Sequence, residues 1–568
     1  GKQPKQLSDP VVRLDCLNDY FCGINNEIDN NLIVYYKNKR CLEENNFNFM
    51  EVTVEGVRRA IMDISSNAVG DDDIHIKFIR LIFHEIRDVL LHVFNFSLLN
   101  HSYPSQWKKA LILPLPKVKS PIESKDYRPI NILCVLGKII DKLVYQQLCT
   151  YVNDCNILFK YQSGYRSMYS SQTALIKITD DIRLSMDKRE IVILTLLDFS
   201  RAYDCVNHEL LLAVLESYNI SDNVIQWFRS YLLNRNQRVK SGGGMLSNWK
   251  INPVGVPQGS TLSALLFSLY INRIHEIIMF SRFMCYADDM QLYISCNINK
   301  INDAVGAMNA DLCNVSDWCK SHGLNLNALK CKSMILGTSR AIANVDYRNV
   351  SPIMIEGTVL KYENSFVNLG LKMSNTLSWS EQVDHIVKKV YQCLYQFKRL
   401  SFNPPIHVKK LMVQTLVFPF FDYAQAAYCD INNMLLNKLQ VAQNACIRYI
   451  YNLKFDDHVT IYYKNLGWLK IRERLEYAVL TMLFKIMKYE KPDYLFERYV
   501  SMHNVHNRNT RFGSTTLLFP IHRTVIYTKS FHVKSIRLMS ILDNNIKNVL
   551  TEQSFKKLLK DKLVKRYE

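Results

Sequence analysis

The 568-residue chain lacks any apolar run that approaches the 18 or more residues a membrane-spanning helix needs. Its longest candidates, 191–197 and 478–483, suit a buried strand and a core helix. No low-complexity tract interrupts it. Fifteen cysteines are present, yet none is spaced Cys-x-x-Cys. The pairs Cys16/Cys22, Cys149/Cys155 and Cys313/Cys319 have no zinc-knuckle histidines beside them. A disulfide framework and structural zinc are therefore disfavoured, and a reducing compartment is expected. The chain opens Gly1-Lys2-Gln3 with neither an initiator Met nor a signal peptide, as expected of a piece cut from a longer polyprotein or of an incomplete gene model. Acidic residues are comparatively few: 52 Asp and Glu face 71 Lys and Arg.

What is present is a basic, core-forming chain. A hydrophobic content of 48% with 11% aromatics is ample for packed globular domains, and the length calls for two to four of them. The formal charge of +19 and a pI near 9.1 point to a polyanionic partner, nucleic acid rather than membrane. A soluble basic protein without such a partner is the alternative on charge alone.

Residues 1–50 are polar and Asn-rich around a short helical patch at 14–24, and read as a tail or linker. Helical periodicity starts at Val52, and an apolar-faced helix is expected over 74–99, broken by Tyr103-Pro104-Ser105-Gln106-Trp107. A strand at 110–115 follows, then a helix over 139–152 with Ile140, Leu143, Val144, Leu148 and Tyr151 on one face. The β run at 191–197, an apolar helix at 262–271 and short strands at 332–336 and 366–373 come next. From Val383 the texture changes to helices with one apolar stripe (Val383, Ile386, Val387, Val390, Leu394, Phe397) and basic flanks (Lys388, Lys389, Lys398, Arg399). A similar helix is expected at 435–451. The stretch 456–568 carries helices around 470–490 and 553–566, the last either a nucleic-acid contact or a solvated basic face.

Chemistry concentrates at two places. Tyr286-Ala287-Asp288-Asp289 lies inside an apolar stretch that reads strand, tight turn, strand. Adjacent carboxylates at a hairpin tip raise each other's pKa unless a cation lies between them, although a solvated turn is the usual reason for an Asp-Asp pair. The second place is Asp198, which ends the apolar strand 191–197 at a polar turn. Asp198 or Ser200 could equally begin a helix as its cap. If the two strands are neighbours in one sheet, three carboxylates converge, as two Mg²⁺ ions in phosphoryl transfer require.

Around these residues stand ordered blocks. Leu197-Asp198-Phe199-Ser200-Arg201-Ala202-Tyr203-Asp204 resembles motif A of reverse transcriptases, and Val256-Pro257-Gln258-Gly259-Ser260-Thr261-Leu262-Ser263 resembles motif B. Tyr286-Ala287-Asp288-Asp289 is similar to motif C. Ser66 to Ile74, Tyr127-Arg128-Pro129-Ile130-Asn131-Ile132-Leu133 and Gln162-Ser163-Gly164-Tyr165-Arg166 resemble the N-terminal and fingers blocks of jockey-type non-LTR retrotransposon enzymes. Leu324 to Lys332 resembles motif D, and Phe366-Val367-Asn368-Leu369-Gly370-Leu371 the primer-grip block. The likeness covers roughly 50–450, and the tail more loosely.

The resemblance implies an α+β right-hand polymerase. The N-terminal extension would be 1–50, the N-terminal block and fingers 51–190, the palm with its antiparallel sheet 191–375, a helical thumb 376–455 and a small helical C-terminal region 456–568. Asp198 and Asp288 would hold two Mg²⁺ ions (Mn²⁺ as a substitute), with Asp289 a weaker ligand and the Phe199 carbonyl completing one shell. Tyr203 falls at the steric gate that selects dNTPs, where the jockey branch more often has Phe. Gln258 and Gly259 would lie against the nascent base pair. Lys117 and Arg128 would bind the triphosphate, and Lys330 would sit near the leaving pyrophosphate. Leu369 and Gly370, with Gly259, would meet template and primer.

Two departures stand out. The tail reads Ser535 to Leu542 where the jockey type carries a Trp-Asn-x-Leu-Pro block, and the endonuclease that normally precedes such a polymerase is missing from this chain. Nor does 450–568 offer an RNase H carboxylate set. The implied reaction is RNA-directed DNA synthesis on an RNA template from a DNA primer and dNTPs, in the nucleus and cytoplasm, without a membrane. A catalytically inactive or domesticated RNA-binding remnant is the rival. An RNA-dependent RNA polymerase is a second, disfavoured by Tyr203 and the fingers blocks.

Overall fold

The structure is a computed structural model that describes residues 10–24, 26–40, 46–500 and 517–567. The chain divides into two compact units that alternate along the sequence. One comprises 1–162, 199–278 and 313–327, the other 163–198, 279–312 and 328–568. Two four-stranded sheets are built from β1 (Lys109–Pro116), β2 (Tyr127–Leu133), β3 (Ile191–Leu197), β4 (Arg235–Val239), β5 (Lys250–Asn252), β6 (Arg282–Tyr286), β7 (Asp289–Cys296) and β8 (Lys332–Leu336). Helices pack around both, so the architecture is α+β.

In the first unit the strand order is β2-β1-β4-β5, with β1 antiparallel to β2 and parallel to β4. The Val135–Asp154 helix buries Ile139, Ile140, Leu143, Val144 and Leu148 and packs against the Thr261–Tyr270 helix. The stretch read as a tail is more ordered than its composition suggests. Helices Pro10–Cys22 and Asn30–Asn38 form there. Leu14, Leu17 and Phe21 pack on Ala110, Ile112, Leu133 and Val239. Asn18, fully buried among them, donates to Asn248 O at 2.9 Å and Gln237 O at 3.3 Å. The first of these helices overlaps the patch read at 14–24, and the second was not expected from so polar a segment. The helix expected over 74–99 is two, Ile76–Leu81 and Phe83–Leu99, with Ile82 (φ −96°, ψ 9°) outside helical geometry between them.

In the second unit the order is β6-β7-β3-β8, antiparallel throughout. Six of the seven β3 residues are buried, all but Leu196, which is why the strand reads as a continuous apolar run. The 366–373 candidate is a hairpin, Ser365–Asn368 and Leu371–Ser374, around Leu369-Gly370. Downstream, the Ser380–Lys398 helix buries Val383, Ile386, Val390, Leu394 and Phe397. The last helix, Glu552–Lys565, sets Phe555, Leu559 and Leu563 against Leu469, Leu480 and Phe484.

The Ser171–Asp187 helix packs on β3 and β6 and is buried almost all round. It carries Lys177, Asp180, Asp181, Arg183 and Asp187, none more than 8% exposed. Buried charges persist only when paired and hydrogen-bonded, and here the partners come largely from the C-terminal region. Arg498 pairs with Asp181 and lies 3.6 Å from Asp180. Asp180 also accepts from the Phe531 and His532 amides at 2.8 and 3.0 Å, and Asp187 from Arg523 N and Thr524 N. Arg183 reaches Asp430 at 2.7 Å, and Tyr293 donates to Asp181 at 2.6 Å. Burial pushes the Asp180 carboxyl up despite Arg498 and Arg183. At Asp181 burial is outweighed by Arg498 and Lys177, so its carboxyl is held low. Burial, helped by Arg498, brings the Lys177 ammonium down to about 8. Replacing Arg498 with Met leaves two buried carboxylates short of a counter-charge. Denaturant unfolding is expected to show a loss of roughly 3–5 kcal/mol; a loss below about 1 kcal/mol would mean the cluster is not what holds the tail.

Candidate active site

The β3–β7 ladder pairs Ile191 with Cys296 and ends at Leu197↔Met290. One step further the same register sets Asp198 opposite Asp289, on strands about 4.8 Å apart. The β6–β7 ladder closes at Tyr286↔Asp289, so Ala287-Asp288 is a two-residue hairpin loop. Ala287 takes the left-handed conformation at its first position (φ 56°), as the primed turns of tight hairpins require. For a residue with a Cβ this costs about 1–2 kcal/mol, and such strain recurs at functional sites. Asp198, Asp288 and Asp289 thus share one end of one sheet.

Asp198 is not a helix cap. The next α-helix, His208–Glu216, is capped by the Asn207 side chain. The Asp198 amide instead donates to Cys331 Sγ at 3.4 Å, and burial pushes the Cys331 thiol up to about 11. Asp198 Oδ2 is shut off from solvent and has no aligned hydrogen bond, although Lys330 Nζ lies 3.2 Å away. Among the described residues no three His, Cys, Asp or Glu side chains are closed on a common point fit for a metal. Backbone register gathers the carboxylates, while Asp198 is engaged by Lys330. The donor set is oxygen only, and an under-satisfied buried oxygen belongs to it. It fits a hard divalent cation.

Beside these residues in the same unit, the Leu369-Gly370 turn is held by Tyr423. Its hydroxyl donates to Leu369 O, and a Cβ on Gly370 (φ 77°) would meet the Tyr423 ring at 3.0–3.2 Å. Asn368 donates to Gln291 of β7 at 2.7 Å, tying this hairpin to the carboxylate-bearing strand.

The other expected residues belong to the first unit. Phe199 bridges Leu326, and Ser200 N donates to Asn325 O at 2.8 Å. Tyr203 stacks on Phe267 with ring centres 4.4 Å apart. Its carbonyl accepts from Val256 N at 2.9 Å, so motifs A and B are laced by backbone. Gln258 donates to Asp204 Oδ1 at 2.7 Å, and Asp204 faces Arg201 at 3.4 Å. Arg201 in turn donates to Tyr20 O and Phe21 O. Burial raises the Asp204 carboxyl, opposed by Arg201 and Gln258. Gly259 (φ 128°) permits what no other residue could, because a Cβ there would sit 2.6 Å from Asn131 O. Lys117 and Arg128 share the β1–β2 hairpin. Arg128 pairs with Leu115 in the ladder, and Lys117 N donates to Asp126 O at 2.7 Å. That parity places both on one face.

Asp204, Arg201 and Asp141 are supporting residues that sequence reasoning missed. Asp141 is fully buried and accepts from Ser260 Oγ at 2.6 Å, while Ser260 also caps the Thr261–Tyr270 helix. The signal was available: Asp141 lies three and seven residues before Val144 and Leu148, a carboxylate inside an apolar stripe.

Residues 115–386 match the family described as reverse transcriptase (RNA-dependent DNA polymerase). The chain is 25% identical over 400 residues to a probable RNA-directed DNA polymerase from transposon BS of Drosophila melanogaster, covering 67% of this chain and 42% of that protein. It is 24% identical over 422 residues to the RNA-directed DNA polymerase from mobile element jockey of the same fly, covering 70% and 44%. A third similarity, 23% over 373 residues, is to a probable RNA-directed DNA polymerase from transposon X-element, covering 63% and 39%. The chain spans less than half the length of these relatives. The matched segment contains the three aspartates, the Tyr203 and Gln258 clusters, Lys330 and the Leu369-Gly370 turn.

Burial raises the Asp141 carboxyl from about 3.8 to about 6, so the folded state favours its protonated form. Below pH 4 the group is protonated folded or unfolded and costs nothing; above pH 6 it is ionised in both and the cost is complete. The stability of Asp141→Asn relative to the parent is therefore expected to rise between pH 4 and 6, by up to about 3 kcal/mol. Denaturant unfolding at several pH values checks this, and a flat difference would contradict it.

Proposed function

We propose that this chain is an RNA-directed DNA polymerase of a jockey-like non-LTR retrotransposon, joining dNTPs to a DNA primer 3′-OH on an RNA template. The observation that carries the reading is the register that sets Asp198 opposite Asp289 with Asp288 in the adjoining turn. In this reading 51–190 supply the N-terminal block and fingers, 191–375 the palm, 376–455 the thumb and 456–568 a helical C-terminal region, beyond an extension at 1–50. The enzyme would work in the nucleus and cytoplasm. No described helix is long and apolar enough to cross a membrane.

Asp198, Asp288 and Asp289, with the Phe199 carbonyl, would hold two Mg²⁺ ions, for which Mn²⁺ could substitute. Bound there, the metal supplies charge neutralisation at the phosphates and acidifies the primer hydroxyl. The chain's own residues supply the rest. Lys117 and Arg128, on one face of a hairpin, would grip triphosphate oxygens, with Arg giving bidentate contacts. The Tyr203 ring, stacked on Phe267, is stiffened for excluding a ribose 2′-OH. Gln258 is aimed by Asp204, and Gly259 keeps the backbone low enough for a base pair to approach. Lys330, 3.2 Å from Asp198, would sit near the departing pyrophosphate and offset its charge. Leu369 and Gly370 would meet the primer strand. Positioning and preorganised charge account for most of such catalysis.

Primer extension on poly(rA)/oligo(dT) with Mg²⁺ is the test. Wild type is expected to extend, and Asp288→Asn to lose on the order of a thousandfold in rate. Wild type that binds RNA yet never extends would favour an inactive, RNA-binding remnant.

A further inference from the structure

A half-open cavity lies away from the three aspartates, at the Ser380–Lys398, Ile406–Met412 and Asn433–Tyr451 helices, and has a volume of about 840 Å³. That is within the 300–1,000 Å³ range of ligand sites. Its lining includes Lys398, Lys409 and Arg448 and no Asp or Glu. Lys409 is only 2% exposed, and among the described residues its hydrogen-bond acceptor is Asn452 Oδ1 at 2.8 Å, with no carboxylate paired to it. An ammonium carries three donors, and a buried charge demands compensation. The Tyr449 ring lies beside it, 5.3 Å from Nζ to ring centre. Tyr449 is 7% exposed, and its hydroxyl is shut off from solvent with no hydrogen-bond partner among the described residues. The pocket thus holds a buried ammonium with one neutral acceptor for its three donors, beside a hydroxyl that has none.

Aromatic rings complete the site. Phe402 and Phe455 belong to the lining yet are 64% and 87% exposed, and the Arg448 guanidinium lies 5.5 Å from the Phe455 ring centre. Arg448 itself is largely engaged by the Lys454 and Asp457 carbonyls, so Lys409 and Lys398 hold the uncommitted charge. Exposed rings beside cations form stacking platforms for nucleobases. In a duplex the base faces are covered by their neighbours, so an unpaired base is what such rings can take.

We propose that this pocket is a subsite for one nucleotide of an unpaired nucleic-acid strand, its phosphate received by Lys409 and Tyr449 and its base by Phe402 or Phe455. The inference rests on the polymerase reading only in taking nucleic acid as the partner. The full chain is titrated into fluorescein-labelled oligo(U) and oligo(dT), read by anisotropy, alongside its unfolding temperature. Tyr449→Phe removes a hydroxyl with no internal bond, so the unfolding temperature is expected to hold while affinity falls about fivefold. Phe402→Ala with Phe455→Ala, both surface changes, is expected to weaken binding about tenfold or more. Loss in both oligonucleotide arms supports a site blind to the sugar, and loss in one arm identifies RNA or DNA as the strand. Wild-type affinity in every variant overturns the proposal, as does a Tyr449→Phe protein that melts several degrees early. Primer extension separates the two readings. A chain that extends but shows no affinity change loses the subsite alone; one that binds through the pocket and never extends loses the polymerase alone.

Discussion

The pairing of β3 with β7 decides where negative charge collects, and the functional reading depends on it. With Leu197 opposite Met290, the next pair is Asp198 and Asp289. A slip of one residue would turn every side chain to the opposite face. The register is held from several sides. β3 is buried along nearly its whole length, Thr195 hydrogen-bonds Ser333 of β8 at 3.1 Å, and Gln291 of β7 receives Asn368. Two neighbouring strands and a hairpin therefore agree on one alignment.

Three carboxylates at one sheet end repel one another, and a cation among them relieves that. Lys330 provides one at Asp198, and the oxygen-only donor set suits a second, metallic one. The same rule governs the rest of the second unit. The Ser171–Asp187 helix is buried with five charged residues on it, and Arg498, Asp430 and the amides of 523–532 offset them. Charge paired inside the fold thus ties the C-terminal region to this helix.

Much of this was legible in the residues. The bounds of β3 match the apolar run at 191–197, because a strand covered on both faces has to be largely apolar, and those of β8 match the short strand expected at 332–336. The Asp-Asp hairpin follows from two short runs with nothing but turn between them. What escaped notice was non-local. Asp180, Asp181 and Arg498 look like solvated residues in sequence, since their partners lie more than 300 residues away. The Asp204–Gln258 contact joins two blocks that sequence treats separately, and Asp141 shows its role only once Ser260 is seen against it. The helix at Pro10–Cys22 overlaps the patch read at 14–24, while Asn30–Asn38 was hidden by its asparagines. Lys409 was one cation among 71, and only its burial distinguishes it.

The central claim is that the carboxylates at the end of β3 and β7 form a metal site. It is tested most directly by unfolding temperature with and without Mg²⁺, for wild type and Asp288→Asn. Without metal, removing one of three like charges relieves repulsion, so the variant is expected to melt at or above wild type. With Mg²⁺ at several millimolar the order should reverse, because wild type gains binding energy that the variant lacks. An equal Mg²⁺ response in both proteins would contradict the account.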